Sequence, residues 1–263
     1  MTRDIFEALP VWSVALISFL FVFAFLELGY RLAIFRSKKV AGHDTSSAGL
    51  AAGGILGLVS FVLAFGFGIA ANHHETRKEI VLEEANIIGT AYLRSDLLDE
   101  PVRTQVATMI LDYTRLRING ANKRIDRAEF QETLAKMQGI QTELWKTITT
   151  YAKENPSPTT ALMVSSINDL IDIHLVLLTK GVGGRMAASI WVVLYVLVGL
   201  GTLSAGYAMS RESQRRPALT VGIVLAFSCI LILIADLDNP RYGVLQADQR
   251  PLENTLMGMQ SGS

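Results

Sequence analysis

The feature that most restricts the fold is a long helix-forming segment that changes character without breaking. Residues 48–71 are apolar, residues 75–97 are charged and amphipathic, and no proline lies between Ala48 and Arg94. Crossing a bilayer takes about 20 apolar residues in helical form, so the segment predicts one helix that spans the membrane and continues into water. Beyond residue 75 the apolar positions Val81, Ala85, Ile88 and Tyr92 recur at spacings of four, three and four, while Glu75, Glu79 and Glu83 occupy another face. Such a helix needs two kinds of neighbour: other spans inside lipid, and other amphipathic helices outside it.

The rest of the chain offers both. Three further apolar runs, at 11–34, 187–209 and 217–235, approach spanning length in a chain of 263 residues that is 50% hydrophobic and only 18% charged. The first run, containing "FAFLELGYRLAIF", is too long for a secretory signal and has no small-residue cleavage site, so it predicts a retained span. The expected fold is an all-α membrane protein with four transmembrane helices in two hairpins and an inserted helical extramembrane domain. Its boundaries fall at 1–71 for the N-terminal hairpin, 72–186 for the inserted domain, 187–236 for the C-terminal hairpin and 237–263 for a tail. The one cysteine, Cys229, lies in the last run and cannot form an intramolecular disulfide.

Within the inserted domain, Pro101 suits the first turn of a second helix, and "NGAN" at 119–122 is expected to break it. A third helix begins near Asp126, a capping residue with Glu129 three positions on, and ends at "ENPSP". A fourth carries Leu162, Ile167, Leu170, Ile171, Leu175 and Leu178 before Gly181, Gly183 and Gly184 loosen the chain. No strand-like alternation competes with these readings, and the helices are expected to pack as an antiparallel bundle.

Charge excludes some functions and orients the chain. Balanced totals of 24 basic and 24 acidic residues give no field for nucleic acid. The short connectors carry Arg31, Arg36, Lys38, Lys39, Arg211, Arg215 and Arg216, which favours a cytoplasmic position for them and a periplasmic one for the inserted domain, in a bacterial inner membrane. Arg3, Arg77, Lys78, Lys180, Arg185, Arg241 and Arg250 near the other span ends oppose that orientation, so the reverse stays open.

Reactive chemistry is sparse. Adjacent His73 and His74 point about 100° apart on a helix, which does not favour a shared metal ion, and no metal or cofactor is expected. His174 reads as a buried core histidine, and Glu83 and Glu84 lack the partners of a general base, so the chain is not expected to be an enzyme. Glu27, the one acidic residue in a span, has Arg31 at i+4 and is expected to pair with it at the headgroup boundary. The second span differs in kind: Gly49, Gly53, Gly57, Ser60, Ala64 and Gly68 recur every three or four residues, ending near Ala71, and draw a small-residue packing face. That face serves packing within one chain or against symmetry mates. Phe61, Phe65 and Phe67 beside it face lipid or narrow a pore.

Three stretches carry a family resemblance: "VLEEANIIGTAYLRSDLLDEP" at 81–101, "INDLIDIH" at 167–174 and "ADLDNPRYGVLQADQRPLENT" at 235–255. Set between two hydrophobic hairpins, they resemble the bacterial bestrophin-like domain family. The motif positions are Glu83, Glu84, Asn86, Gly89, Thr90, Tyr92, Arg94, Asn168, Asp172, His174, Asp236, Asp238, Pro240, Gly243, Gln249, Pro251 and Leu252. More distantly, Leu63, Ala64, Phe65 with Glu75 and Arg77, and Pro240 to Gly243 with Pro251 and Leu252, resemble segments of bestrophin anion channels. Where those channels carry glycine, this chain has Ala64, and their acidic calcium clasp is reduced to Asp236 and Asp238.

The resemblance implies a homo-oligomer, pentameric in bestrophins, whose second spans line an axial pore with an apolar neck, and a cytoplasmic helical domain, opposite to the connector charges. The expected function is therefore a bestrophin-like ion channel permeable to small inorganic anions. Phe61 and Phe65 are then the constriction candidates, and Asn72, His73, Arg77 and Lys78 the pore-mouth candidates. The alternative is a non-conducting sensor or scaffold whose helical domain binds a ligand or partner.

Overall fold

The computed structural model describes residues 11–37, 46–122, 127–210, 217–240 and 243–261. Asp126, the expected helix cap, and the connector and turn positions Lys38, Lys39, Arg211, Arg215, Arg216, Arg241 and Tyr242 lie outside the described residues, as does Arg3. Among the described residues every regular element is helical: α1 (Val11–Ser37), α2 (Ser46–Ser95), α3 (Val102–Asn122), α4 (Arg127–Glu154), α5 (Pro158–Val176) with a π-helical turn (Leu177–Val182), α6 (Ala188–Met209), α7 (Pro217–Asp238) and α8 (Arg250–Ser261).

Helix α2 is unbroken over 50 residues. At 1.5 Å per residue it is about 75 Å long, more than twice a hydrocarbon core of about 30 Å. A helix of that length leaves the bilayer, as the missing proline and the change of character at residue 72 require.

The chain divides into two units, one built of 1–74 with 185–246 and the other of 75–184 with 247–263. In the first unit, Val22 and Leu26 of α1, Val59 and Leu63 of α2, Leu194 and Val198 of α6, and Leu231 and Ile234 of α7 form one apolar core. Its closest backbone approaches are between α1 and α6. A Cβ at Gly29 would collide with the Leu203 carbonyl, and one at Gly206 with the Leu26 carbonyl, so these glycines set the crossing. Ser18 and Tyr195 tie the same two helices through a 2.8 Å hydrogen bond. Glu27 pairs with Arg31 at 2.9 Å, as its spacing predicts.

In the second unit the lower half of α2 buries Val81, Ala85, Ile88 and Ala91 against Val106, Ile110 and Tyr113 of α3, Leu144 and Ile148 of α4, and Met163, Ile167 and Leu170 of α5. Full burial of each such large aliphatic side chain is worth about 1.5–3 kcal/mol, which is how a set of narrow apolar faces becomes a stable bundle. The C-terminal segment joins this core through Leu252 and Met259 of α8.

Local signals explain most ends. Ser157 caps α5 by accepting from the Thr160 amide at 3.1 Å, with Pro158 in the first turn where its missing N–H is harmless. "NGAN" does not end α3 before residue 119: the helix runs on through Asn122. A Cβ at Gly120, in the last turn of α3, would sit 3.3 Å from the Thr133 side chain, so the glycine also serves close packing against α4.

Among the described residues five helices are long and apolar enough to cross a membrane by length and composition, one of them, Pro158–Val182, lying outside the expected four. Composition alone thus adds one candidate to the expected four. Along that helix Asn168, Asp169 and Asp172 are exposed, while Met163, Ile167 and Leu170 are buried in the second unit's core.

Candidate functional site

In the first unit α2 has two unlike sides. Ala52, Val59, Leu63, Gly66 and Ala70 turn inward, where Gly66 lies against Leu194 and Ile234, and Val59 against Gly201. The other side carries Gly49, Gly53, Gly57, Ser60, Ala64 and Gly68, all exposed. A Cβ added at Gly49, Gly53, Gly57 or Gly68 would meet no atom within 4 Å, so among the described residues nothing packs against these glycines. Phe61 and Phe65, one turn apart with ring centroids separated by 6.4 Å, are 67% and 66% exposed on the side facing away from the core. Small residues that do bring helices together within the chain include Gly29 of α1 and Gly199, Gly201 and Gly206 of α6.

The expected mouth residues fare differently from one another. Asn72 is exposed. His73 Nδ1 lies 3.2 Å from Asp238 Oδ1, and the same buried carboxylate accepts from the Met186 amide at 2.9 Å and from Trp191 Nε1 at 3.4 Å. In the second unit Arg77 is buried and donates to the Gly184 carbonyl at 3.4 Å. Lys78 pairs with Glu75 at 2.8 Å on the surface, and Glu79 and Glu83 are exposed nearby on the same helix.

Most motif positions hold the fold. Arg94 reaches the Leu162 carbonyl at 3.3 Å and Ser166 Oγ at 2.7 Å, locking α2 to α5. Tyr92 donates to the Met259 carbonyl at 3.0 Å, and Gly89 leaves room for Thr255, both on α8. Asn168 donates to Asp172 at 2.9 Å along α5. Asp236 accepts the amides of Val244 and Leu245, shaping the turn after α7, where a Cβ at Gly243 would collide with the carbonyls of Asp236 and Asn239. Pro240 lies in that turn, half-buried. Pro251 accepts from Thr255 at 3.0 Å, and Leu252 is buried beside it. Asn86 and Thr90 are exposed.

One polar cluster lies inside the second unit, and only Glu84, His174 and Gln249 of it were marked by a motif. Glu84 of α2 is fully buried, with Arg117 Nε of α3 at 3.0 Å from each of its oxygens. Arg117 also reaches Gln249 Oε1 at 3.4 Å, and Gln249 donates to the Ala247 carbonyl at 2.8 Å. Tyr113, buried one turn before Arg117, bonds His174 Nδ1 of α5 at 3.1 Å. Burial pushes the Glu84 carboxyl up, against the lowering effect of Arg117. The Tyr113 hydroxyl is pushed up by burial and by the Glu84 charge, against the lowering effect of Arg117 and of the buried side-chain amide of Gln141 in α4. Tyr113, Arg117 and Gln141 have no periodic or motif signal, because an inward arginine in "YTRLRI" reads like an outward one. Among the described residues no group of His, Cys, Asp and Glu is arranged to hold a metal ion.

An all-helical chain with several membrane-length apolar helices, one of them running on far beyond membrane thickness, defines a membrane protein of bestrophin fold. The chain belongs to the bestrophin-like domain family, whose model matches residues 18–252. Among solved structures it is similar to a point mutant of a bacterial bestrophin homologue from Klebsiella pneumoniae, at 13% identity and a TM-score of 0.68, covering 94% of this chain and 98% of that one. It is also similar to a point mutant described as a membrane protein, at 15% identity and a TM-score of 0.58, with the same coverages. No curated protein matches the chain.

Proposed function

We propose that this protein is a homo-oligomeric, bestrophin-like ion channel whose second spans line the symmetry axis, rather than an enzyme. The observation that carries the reading is the uncovered side of α2: a stripe of Gly49, Gly53, Gly57, Ala64 and Gly68 beside the exposed pair Phe61 and Phe65. Small residues let backbones approach closely, and no described residue of the same chain packs on these glycines. Copies of α2 packed about an axis would use it, with Phe61 and Phe65 narrowing an apolar neck. The pentameric state of bestrophins is the expected stoichiometry. In this reading the hairpins of 11–71 and 187–238 lie in the membrane. The bundle of 72–186 and α8 lies in water, α5 included because its exposed Asn168, Asp169 and Asp172 suit water and not lipid.

Two readings of the permeant ion differ. The family resemblance favours small inorganic anions. The charge on the continuing helix favours cations, because Arg77 is turned inward and Lys78 is paired, while Glu79 and Glu83 stay exposed. The connector charges favour a cytoplasmic position for residues 38–45 and 211–216, with the helical bundle in the periplasm.

Purified protein in planar bilayers under a chloride salt gradient tests the function: a current with a non-zero reversal potential supports the channel, and its sign names the ion. No current from wild type or from Phe65→Ala favours the sensor or scaffold alternative. Cysteines at Asp44 and at Asn122, each in a Cys229→Ser background and probed in intact cells with an impermeant reagent, test orientation. Labelling of Asp44→Cys alone would reverse the proposed one.

A further inference from the structure

We propose that Glu84, Tyr113, Arg117, Gln141 and His174 enclose a hydrated proton-binding site in the core of the second unit, where one proton is exchanged between the Glu84 carboxyl and the His174 imidazole. The first support is geometric. Three buried polar atoms from three helices, Glu84 Oε2 of α2, Gln141 Nε2 of α4 and His174 Nε2 of α5, have no well-formed hydrogen bond, although the Gln141 amide approaches the Tyr113 hydroxyl closely enough to lower its proton affinity. Glu84 Oε2 is 3.0 Å from Arg117 Nε, but the N–H bond is directed at Oε1. Whichever way the Tyr113–His174 bond runs, the tautomer leaves Nε2 of the imidazole unused.

The chemistry of the three atoms selects what fits them. A carboxylate oxygen needs a donor and an amide N–H needs an acceptor, and water supplies both. An anion is repelled by Glu84 and a cation by Arg117. Buried polar groups are rarely left unsatisfied, so ordered water beside Tyr113 is the consistent filling, and it gives the proton a path.

The charges decide where the proton sits. Burial raises the affinity of Glu84 for a proton, with Arg117 opposing. Burial and then the Arg117 charge lower that of His174. The two shifts run toward each other from ordinary values of about 4.3 and about 6.5, which brings the carboxyl and the imidazole closer in proton affinity. The groups facing them are Tyr113 and Arg117 from α3, Gln141 from α4 and Gln249 from the segment before α8. Arg117 is the one permanent charge among them. A proton taken up by Glu84 discharges the Glu84–Arg117 pair, which joins α2 to α3, so proton uptake acts directly on the packing of the helix that continues from the second span. The site does not depend on conduction.

Infrared spectra of the full chain in detergent, titrated from about pH 4 to about pH 8, test this directly. Expected is one protonated-carboxyl band that survives at least about one pH unit above the ordinary glutamate value and is missing in Glu84→Gln. If that variant fails to fold because Arg117 is left unpaired, the neutral double variant Glu84→Gln with Arg117→Met gives the same comparison. His174→Gln, which keeps the ion pair, removes the competing acceptor and should carry the band to higher pH. A wild-type band that disappears with the exposed carboxylates, one that persists in the Glu84 variants, or one unmoved in His174→Gln would overturn the proposal.

Discussion

The two halves of α2 are one helix with two different endings to the same packing problem. From Val81 to Ala91 the inward face is matched by α3, α4, α5 and α8, and even its buried carboxylate has a guanidinium opposite. From Gly49 to Gly68 only one side is matched, and the opposite side presents exposed phenylalanines and glycines that no described residue packs against. The lower half is complete within one chain. The upper half is complete only with lipid or with further copies, and a stripe of glycines is costly in a helix unless close packing uses it.

The largest effect expected from breaking this contrast is at the ion pair. Arg117→Met alone leaves Glu84 charged and buried, at a cost of about 3–5 kcal/mol, read as a fall in the thermal midpoint of the purified protein. Adding Glu84→Gln should recover much of it. Gly206→Ala comes next, because its Cβ must displace the Leu26 backbone; a loss of about 1–3 kcal/mol is expected from such overpacking. Gly57→Trp sharpens the comparison from the other side. It should leave the monomer's thermal midpoint unchanged and abolish the oligomer by native mass spectrometry, whereas an intact oligomer would mean that the stripe faces lipid.

The smallest expected effect is a pH dependence. His174 is held below its ordinary value by burial and by Arg117. A depressed folded-state value means that the stability from keeping it neutral is complete above about pH 6.5 and is lost as pH falls toward the folded value. Glu84, raised, acts in the opposite sense, stabilising at low pH and losing that contribution as pH rises through its folded value. Subtracting His174→Gln from wild type isolates the first contribution. The wild type should lose more stability than the variant between about pH 7 and about pH 5, and equal slopes would mean that His174 is protonated without penalty.

Much of the fold was legible because helical membrane proteins write their constraints in long periods. The unbroken α2 followed from an absent proline and a change of hydropathy, and the end of α4 from the prolines at 156 and 158. "NGAN" lies in the last turn of α3, which is described as far as Asn122, and the closeness of its Gly120 to Thr133 of α4 had no mark in the sequence. The α1–α6 crossing rests on Gly29 of α1 and on Gly199 and Gly206 of α6, and the spacing within α6 does not tell which helix those glycines meet. The cluster around Tyr113 and Arg117 was illegible for a related reason: an ion pair between residues 33 positions apart leaves no mark in local spacing. The stripe on α2 was visible from the start, but whether its own chain covered it was not.

The central claim is that the uncovered side of α2 lines a conducting axis. Its most direct test is the current through Phe65→Cys in a Cys229→Ser background, before and after a water-soluble, charged thiol reagent, with Trp12→Cys on the exposed side of α1 as the control. The account predicts a current that the reagent blocks or sharply alters at position 65 and leaves unchanged at position 12. A current indifferent to modification at Phe65, under conditions where the label is shown by mass to be attached, would contradict it.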